Sequence, residues 1–261
     1  MTQAGIILRS ALRDGLRSRI VYGFGAFFLF AGWMMVRLGG AGDKALLSLL
    51  SLSLALVPLV SLVYGASYLY QSRRFIELLL AQPVPRRTLF LGLYAGLSLP
   101  LTLAWLLGCL LPLLSAGRGL DVPGLLLLLG AGSALCLVFC ALAFWIAVRV
   151  ENRLRGLGLA IVLWLLLAVA YDGLVLMLGY LLADWPLEGP VLALCLANPI
   201  DLARVLVLLH FDLGAMMGYT GAVFQLFFQG PLGMGLAALT LLLWILLPLW
   251  LAWRAFSRRD F

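Results

Sequence analysis

The chain has 261 residues, of which 64% are hydrophobic and 11% charged, whereas a soluble domain is roughly 25% charged and about half apolar. That balance excludes a soluble globular protein, and the net charge of +7 reads as basic loops at a membrane face rather than a nucleic-acid surface. The four cysteines, Cys109, Cys136, Cys140 and Cys195, lack the paired spacing of a zinc or redox site. Cys136 and Cys140, four apart on one helix face, read as small packing residues.

Residues 1–19, MTQAGIILRSALRDGLRSR, set Ile6, Leu8, Leu12 and Leu16 against Arg9, Arg13, Asp14 and Arg17. The segment is too long and too acidic in its middle for a signal region, and no small-residue cleavage site follows. It reads as an N-terminal amphipathic helix in the interface, serving either as a topology anchor or as a surface for headgroups or a cytosolic partner. A first span is expected at 20–38. The connection GGAGDK at 39–44 lacks the Gly-Lys-Ser/Thr of a phosphate loop, since Lys44 follows Asp43 and precedes Ala45.

A second span covers 45–70, and then QSRRFIELLLAQPVPRRTLF at 71–90 gathers four arginines, one glutamate and two prolines. Arg73 lies at i,i+4 and Arg74 at i,i+3 from Glu77, so the three can meet on one face of a short helix over 71–81, with Phe75, Leu78 and Leu79 apolar. Pro83 ends that helix, and Pro85 suits the first position of the next. A long, charged, proline-bounded elbow favours a docking element over a simple topology signal.

Spans three and four are expected at 88–115 and 121–148. Gly92 and Gly96 form a GxxxG face for close packing, within one chain or between two. Span five, 156–182, carries Asp172, which costs about 2.5 to 3.5 kcal/mol inside a bilayer unless paired or facing a cavity. It marks either a functional pathway or a structural pair. The stretch 183–230 is apolar but cut by Pro186, Pro190 and Pro199 into pieces too short to span, so short outer helices are expected. Asn198 is placed to cap the helix that Pro199 opens. His210 with Met216 and Met217 has the ligand chemistry of a soft-metal site such as Cu(I), although methionine is commonly apolar filler. A sixth span covers 231–255, so the fold class is all-α and polytopic.

Arg9, Arg13, Arg17 and Arg19, then Arg73, Arg74, Arg86 and Arg87, then Arg149, Arg153 and Arg155, and finally Arg254, Arg258 and Arg259 make fourteen of the 18 basic residues. All fall on one side of a six-span topology, leaving Arg37, Lys44, Arg118 and Arg204 for the other. Both termini are therefore expected in the cytoplasm. With one histidine, no HExxH and no GxSxG, no hydrolytic or haem site is supported, and no catalytic residue is assigned.

The elbow ELLLAQPVPRRTLFLG, followed by a small-residue helix start, resembles the permeases of ABC-2-class ATP-binding-cassette exporters, and the resemblance extends over the whole chain as a single transmembrane domain. Within that class ENRLRGLGLAIVLWLL, AYDGLVL, ANPIDLARVL and DLGAMMGYTGAVF are similar to the NosY family of permeases, which serves copper-site maturation of nitrous oxide reductase. The resemblance implies a homodimer in the bacterial inner membrane, docked on a cytosolic ATPase dimer that holds the ATP and Mg, with copper in the pathway, lipid around it and a periplasmic partner on the outer helices. It places Arg73, Arg74, Glu77, Arg86, Arg87, Arg153 and Arg155 at the ATPase, and Asn198, Pro199, Asp201 and Arg204 at the outer partner. Where many relatives carry Glu-Gly-Gly/Thr before the leucines, this chain has Arg-Arg-Phe-Ile-Glu-Leu, which points to a different docking surface. Other cargoes of the class (lipid, polysaccharide, drug or gliding-motility type) and a non-transporting scaffold are the competing readings.

Overall fold

Leucine-rich runs of span length have no backbone partner in lipid except themselves, and they form helices. A computed structural model of the chain describes residues 3–38, 43–80, 85–115, 121–181, 188–211 and 231–258, and among these every regular element is helical. The order is α1 (Gln3–Leu16), α2 (Arg19–Leu38), α3 (Asp43–Gln71), α4 (Arg73–Leu80), α5 (Arg86–Ser115) and α6 (Val122–Arg149). It continues with α7 (Arg153–Leu165), a π-helical turn (Leu166–Ala170), α8 (Tyr171–Leu181), α9 (Glu188–Ala197), α10 (Pro199–His210) and α11 (Pro231–Ser257). Six helical runs are long and apolar enough to cross a membrane, and they coincide with the six expected spans to within a few residues.

Close approach along α5 depends on a stripe of small or flat residues spaced four apart: Gly96, Pro100, Ala104, Gly108 and Pro112. Ala11 and Gly15 of α1 meet Gly96 and Pro100, while Gly25 and Gly32 of α2 meet Ala104 and Pro112. Gly96 of the GxxxG pair therefore packs within one chain, and α1 lies along the first half of α5 instead of resting free of the bundle. Its proline members are tolerated because neighbouring helices surround them.

α3, α5 and α6 form the centre, where Phe28, Trp105, Phe139 and Phe144 are fully buried. Gly132 leaves room for the Trp105 ring, whose Nε1 donates to Ser53 Oγ at 3.4 Å. The Tyr94 hydroxyl donates to the Leu137 carbonyl at 3.0 Å. All four cysteines are free and buried, and the packing reading holds for them. Burial is uneven: 61% of the apolar window of α6 is covered by the rest of the chain, and none of the corresponding window of span five is, its buried residues being Gly156 and Ala160 near the start of α7.

Candidate functional sites: an elbow at the basic end and a polar cluster opposite

The elbow helix α4 spans Arg73–Leu80, somewhat shorter than the expected 71–81, and Ala81 to Val84 lie outside the described residues. Ile76 is its buried anchor and Leu79 is half-buried, whereas Phe75 and Leu78 face out together with Arg74 and Glu77. The apolar side expected from Phe75, Leu78 and Leu79 is thus rotated, because Ile76 fits the gap against the bundle. Pro85 precedes α5 and its carbonyl accepts from Thr88 and Leu89 backbone N–H, so it closes the first turn from outside the helix.

Arg73 does not join Arg74 and Glu77 on the outer face. Its guanidinium turns inward and donates to the carbonyls of Glu151 at 2.8 Å, Val150 at 3.0 Å and Ala147 at 3.3 Å. The last carbonyls of α6 lack intrahelical donors and sit at the negative end of its dipole, so a cation belongs there. Tyr70 completes the joint: its ring lies under the Arg73 guanidinium at 4.8 Å, and its hydroxyl donates to the Val150 carbonyl at 2.9 Å. Asn152 then caps α7 by accepting from Leu154 N–H at 2.9 Å and Arg155 N–H at 3.4 Å. Arg153 and Arg155 are exposed beside it, as is Arg87, while Arg86 donates to the Ser257 carbonyl at the end of α11 at 2.9 Å. The three loops and ends rich in arginine from residue 73 onward therefore gather at one end of the bundle.

At the opposite end the intramembrane carboxylate finds its partner. Arg204 Nη1 donates to both oxygens of Asp172, at 3.1 and 3.0 Å, and lies 3.2 Å from Asp201 Oδ1. Asn198 caps α10 as expected, its Oδ1 accepting from Ile200 N–H at 3.0 Å. Its Nδ2 donates to Asp201 Oδ2 at 2.9 Å and to the Leu167 carbonyl of the π-turn at 2.8 Å. The Tyr171 hydroxyl donates to the Leu194 carbonyl of α9 at 2.7 Å. Asp201 is raised to about 6, first by burial and then by Asp172, with Arg204 and Asn198 opposing. Asn198, Pro199 and Asp201 are buried and Arg204 is half-buried, so none of the four residues expected to meet an outer partner is fully exposed.

His210 ends α10 against the start of α6, its Nε2 in contact with Asp121 Oδ2 at 2.5 Å. Asp121 also caps α6, accepting from Gly124 N–H at 3.0 Å. The imidazole thus has a structural carboxylate partner, Met216 and Met217 lie outside the described residues, and no cluster of three metal-ligating side chains occurs among the described ones.

The sequence reading missed Tyr70, Asp121, Tyr171 and the π-turn. Asp121 was legible, as an aspartate one residue before a Val-Pro helix start. Nothing in LLAVA signals a π-turn, which Asn198 stabilises from 31 residues away.

Six spans, an amphipathic elbow between spans two and three, and short helices before the last span define a membrane permease. The chain belongs to the ABC-2 transporter family: residues 52–261 match the family described as ABC-2 family transporter protein. It is 30% identical to the probable ABC transporter permease protein NosY of Stutzerimonas stutzeri over 279 aligned positions, covering 99% of each chain. It is 32% identical to the protein of the same description from Pseudomonas aeruginosa PAO1, covering 97% of this chain and 98% of the relative.

Proposed function

We propose that this chain is the permease of an ATP-driven transporter serving copper-site maturation of nitrous oxide reductase. It sits in the bacterial inner membrane with its arginine-rich end and both termini in the cytoplasm. ATP and Mg belong to a separate cytosolic ATPase, and this chain converts hydrolysis there into movement of its own helices. The reading rests on the NosY resemblance over almost the full length, and the observation that carries it is the elbow. A short helix offers Arg74, Phe75, Glu77 and Leu78 outward while Ile76 and Arg73 fix it to the bundle.

Span five supports the paired arrangement. An Asp172 carboxylate 41% exposed on a helix with no buried window would be expensive against lipid, so a second copy of the chain covers that face. The helices α9 and α10 with the stretch around them form the seat of a periplasmic partner.

Co-expression with a cytosolic ABC ATPase of the NosY-type systems tests the assignment. Glu77→Arg and Arg74→Glu are expected to abolish co-purification of the ATPase while the permease stays monodisperse in detergent. Undiminished recovery of the ATPase with both variants overturns the docking role of the elbow.

A further inference from the structure

Resting on that reading of function, we infer that Arg73 is a positioning residue and not a docking contact: with Tyr70 and Gly156 it forms a joint that makes the elbow and the start of span five move as one piece. Three observations converge on it. Arg73 spends its donors on carbonyls 147, 150 and 151, on the far side of α4 from the exposed Arg74 and Glu77. Tyr70, the residue before the end of α3, ties the same Val150 carbonyl from the other side. Gly156, one turn into α7, has no Cβ because the Tyr70 hydroxyl and ring occupy that position.

The joint sits on the three-residue turn between α6 and α7, Val150, Glu151 and the capping Asn152, so its load falls at the root of span five. The first half of that span packs on the core through the fully buried Ala160, and its second half has no buried side chain among the described residues. Along its length it meets α3 through Trp164 Nε1, which donates to the Ala55 carbonyl at 3.0 Å, and at its far end it meets α9 and α10 through Tyr171, Leu167 and Asp172. A push on α4 therefore reaches the α6–α7 turn through Arg73 and the start of α7 through Tyr70 against Gly156, and from there the polar cluster on α10.

Two variants break the joint by different routes. Arg73→Gln removes the charge and the fork that reaches three carbonyls. Gly156→Ala raises intrinsic helix propensity, so it does not threaten α7, but its methyl displaces Tyr70. Nitroxide labels at Leu78 of α4 and Leu154 of α7, which are 70% and 80% exposed, report their separation in the chain alone in nanodiscs. Native cysteines are buried and do not compete for label. The expected result is a narrow distance distribution in the parent and a clearly broadened one in both variants.

In the unlabelled complex with the ATPase, Arg73→Gln is expected to retain the ATPase fully. ATP turnover kcat then falls about tenfold, the scale of one charge-assisted hydrogen bond, with KM for ATP unchanged because the nucleotide site is untouched. Parent-like distance widths in both variants, or loss of the ATPase from Arg73→Gln, overturns the joint. A parent chain that retains no ATPase overturns the proposed function instead, and the distance widths of the chain alone still decide the joint.

Discussion

Spans four and five are consecutive in sequence and held by opposite means. α6 is wedged between α3, α5 and α11 by shape, with Gly132 against Trp105 and Phe139 and Phe144 fully buried. Span five packs on the core only in its first half, around Ala160, and is otherwise attached by polar groups: the Tyr70 and Arg73 joint at the turn before it, Trp164 midway, and Asn198, Tyr171 and Arg204 at its far end. Lipid supplies no hydrophobic drive between helices, so tight steric packing makes a static element, while a few hydrogen bonds make one that can detach and re-form. The contrast separates the part of this permease that must stay still from the part built to shift.

The largest effect should come from attacking the wedged helix. Gly132→Leu drives a side chain into the space of the Trp105 ring, and overpacking of this kind costs about 3 kcal/mol. Thermal unfolding in detergent should show a marked fall in midpoint. A midpoint within experimental error of the parent would mean that α5 and α6 are not the rigid centre.

A smaller change is expected from the tethered helix. Arg204→Gln leaves Asp172 and Asp201 facing one another without a cation, but these groups are partly exposed, which limits the cost to about 1 to 2 kcal/mol. A cycle with Asp172→Asn measures the coupling: the double variant should recover much of the loss, because the repulsion goes with the second charge. Strict additivity would show that the pair carries no energy and that span five is held elsewhere.

The existence and length of the spans were legible because period, length and hydropathy all point the same way in LALVPLVSLVYG or GLLLLLGAGSALCLVFC. Asn198 was legible as a cap and Asp172 as a residue needing a partner, since each breaks a local rule that only a specific contact repairs. Arg73 misled, because i,i+4 spacing to Glu77 is a local signal and the carbonyls that win its guanidinium lie 74 to 78 residues away. Pairwise spacing on a helix states what can meet there. Helix ends, with their unsatisfied carbonyls, compete for the same cation from across the fold.

The same competition makes a pH prediction for the far end of span five. Asp201 has an ordinary value of 3.8 and is raised to about 6, burial outweighing the pull of Arg204. The folded state thus holds this proton more tightly than the unfolded chain does, and stability rises as pH falls through 6, levelling off below the unfolded value. Between pH 7 and 5 the gain is about 1 kcal/mol, the smallest effect considered. The surrounding ionisable groups are Arg204 and Asp172, with Tyr171 and Cys195 nearby, so Asp201→Asn is the control that isolates one carboxyl. Detergent unfolding midpoints of the parent should climb over this interval and those of Asp201→Asn should not. A parent that loses stability on mild acidification would instead mean that Asp201 is held charged by Arg204, in which case the tether at α10 is an ion pair at every working pH and the far end of span five is fixed more firmly than its exposure suggests.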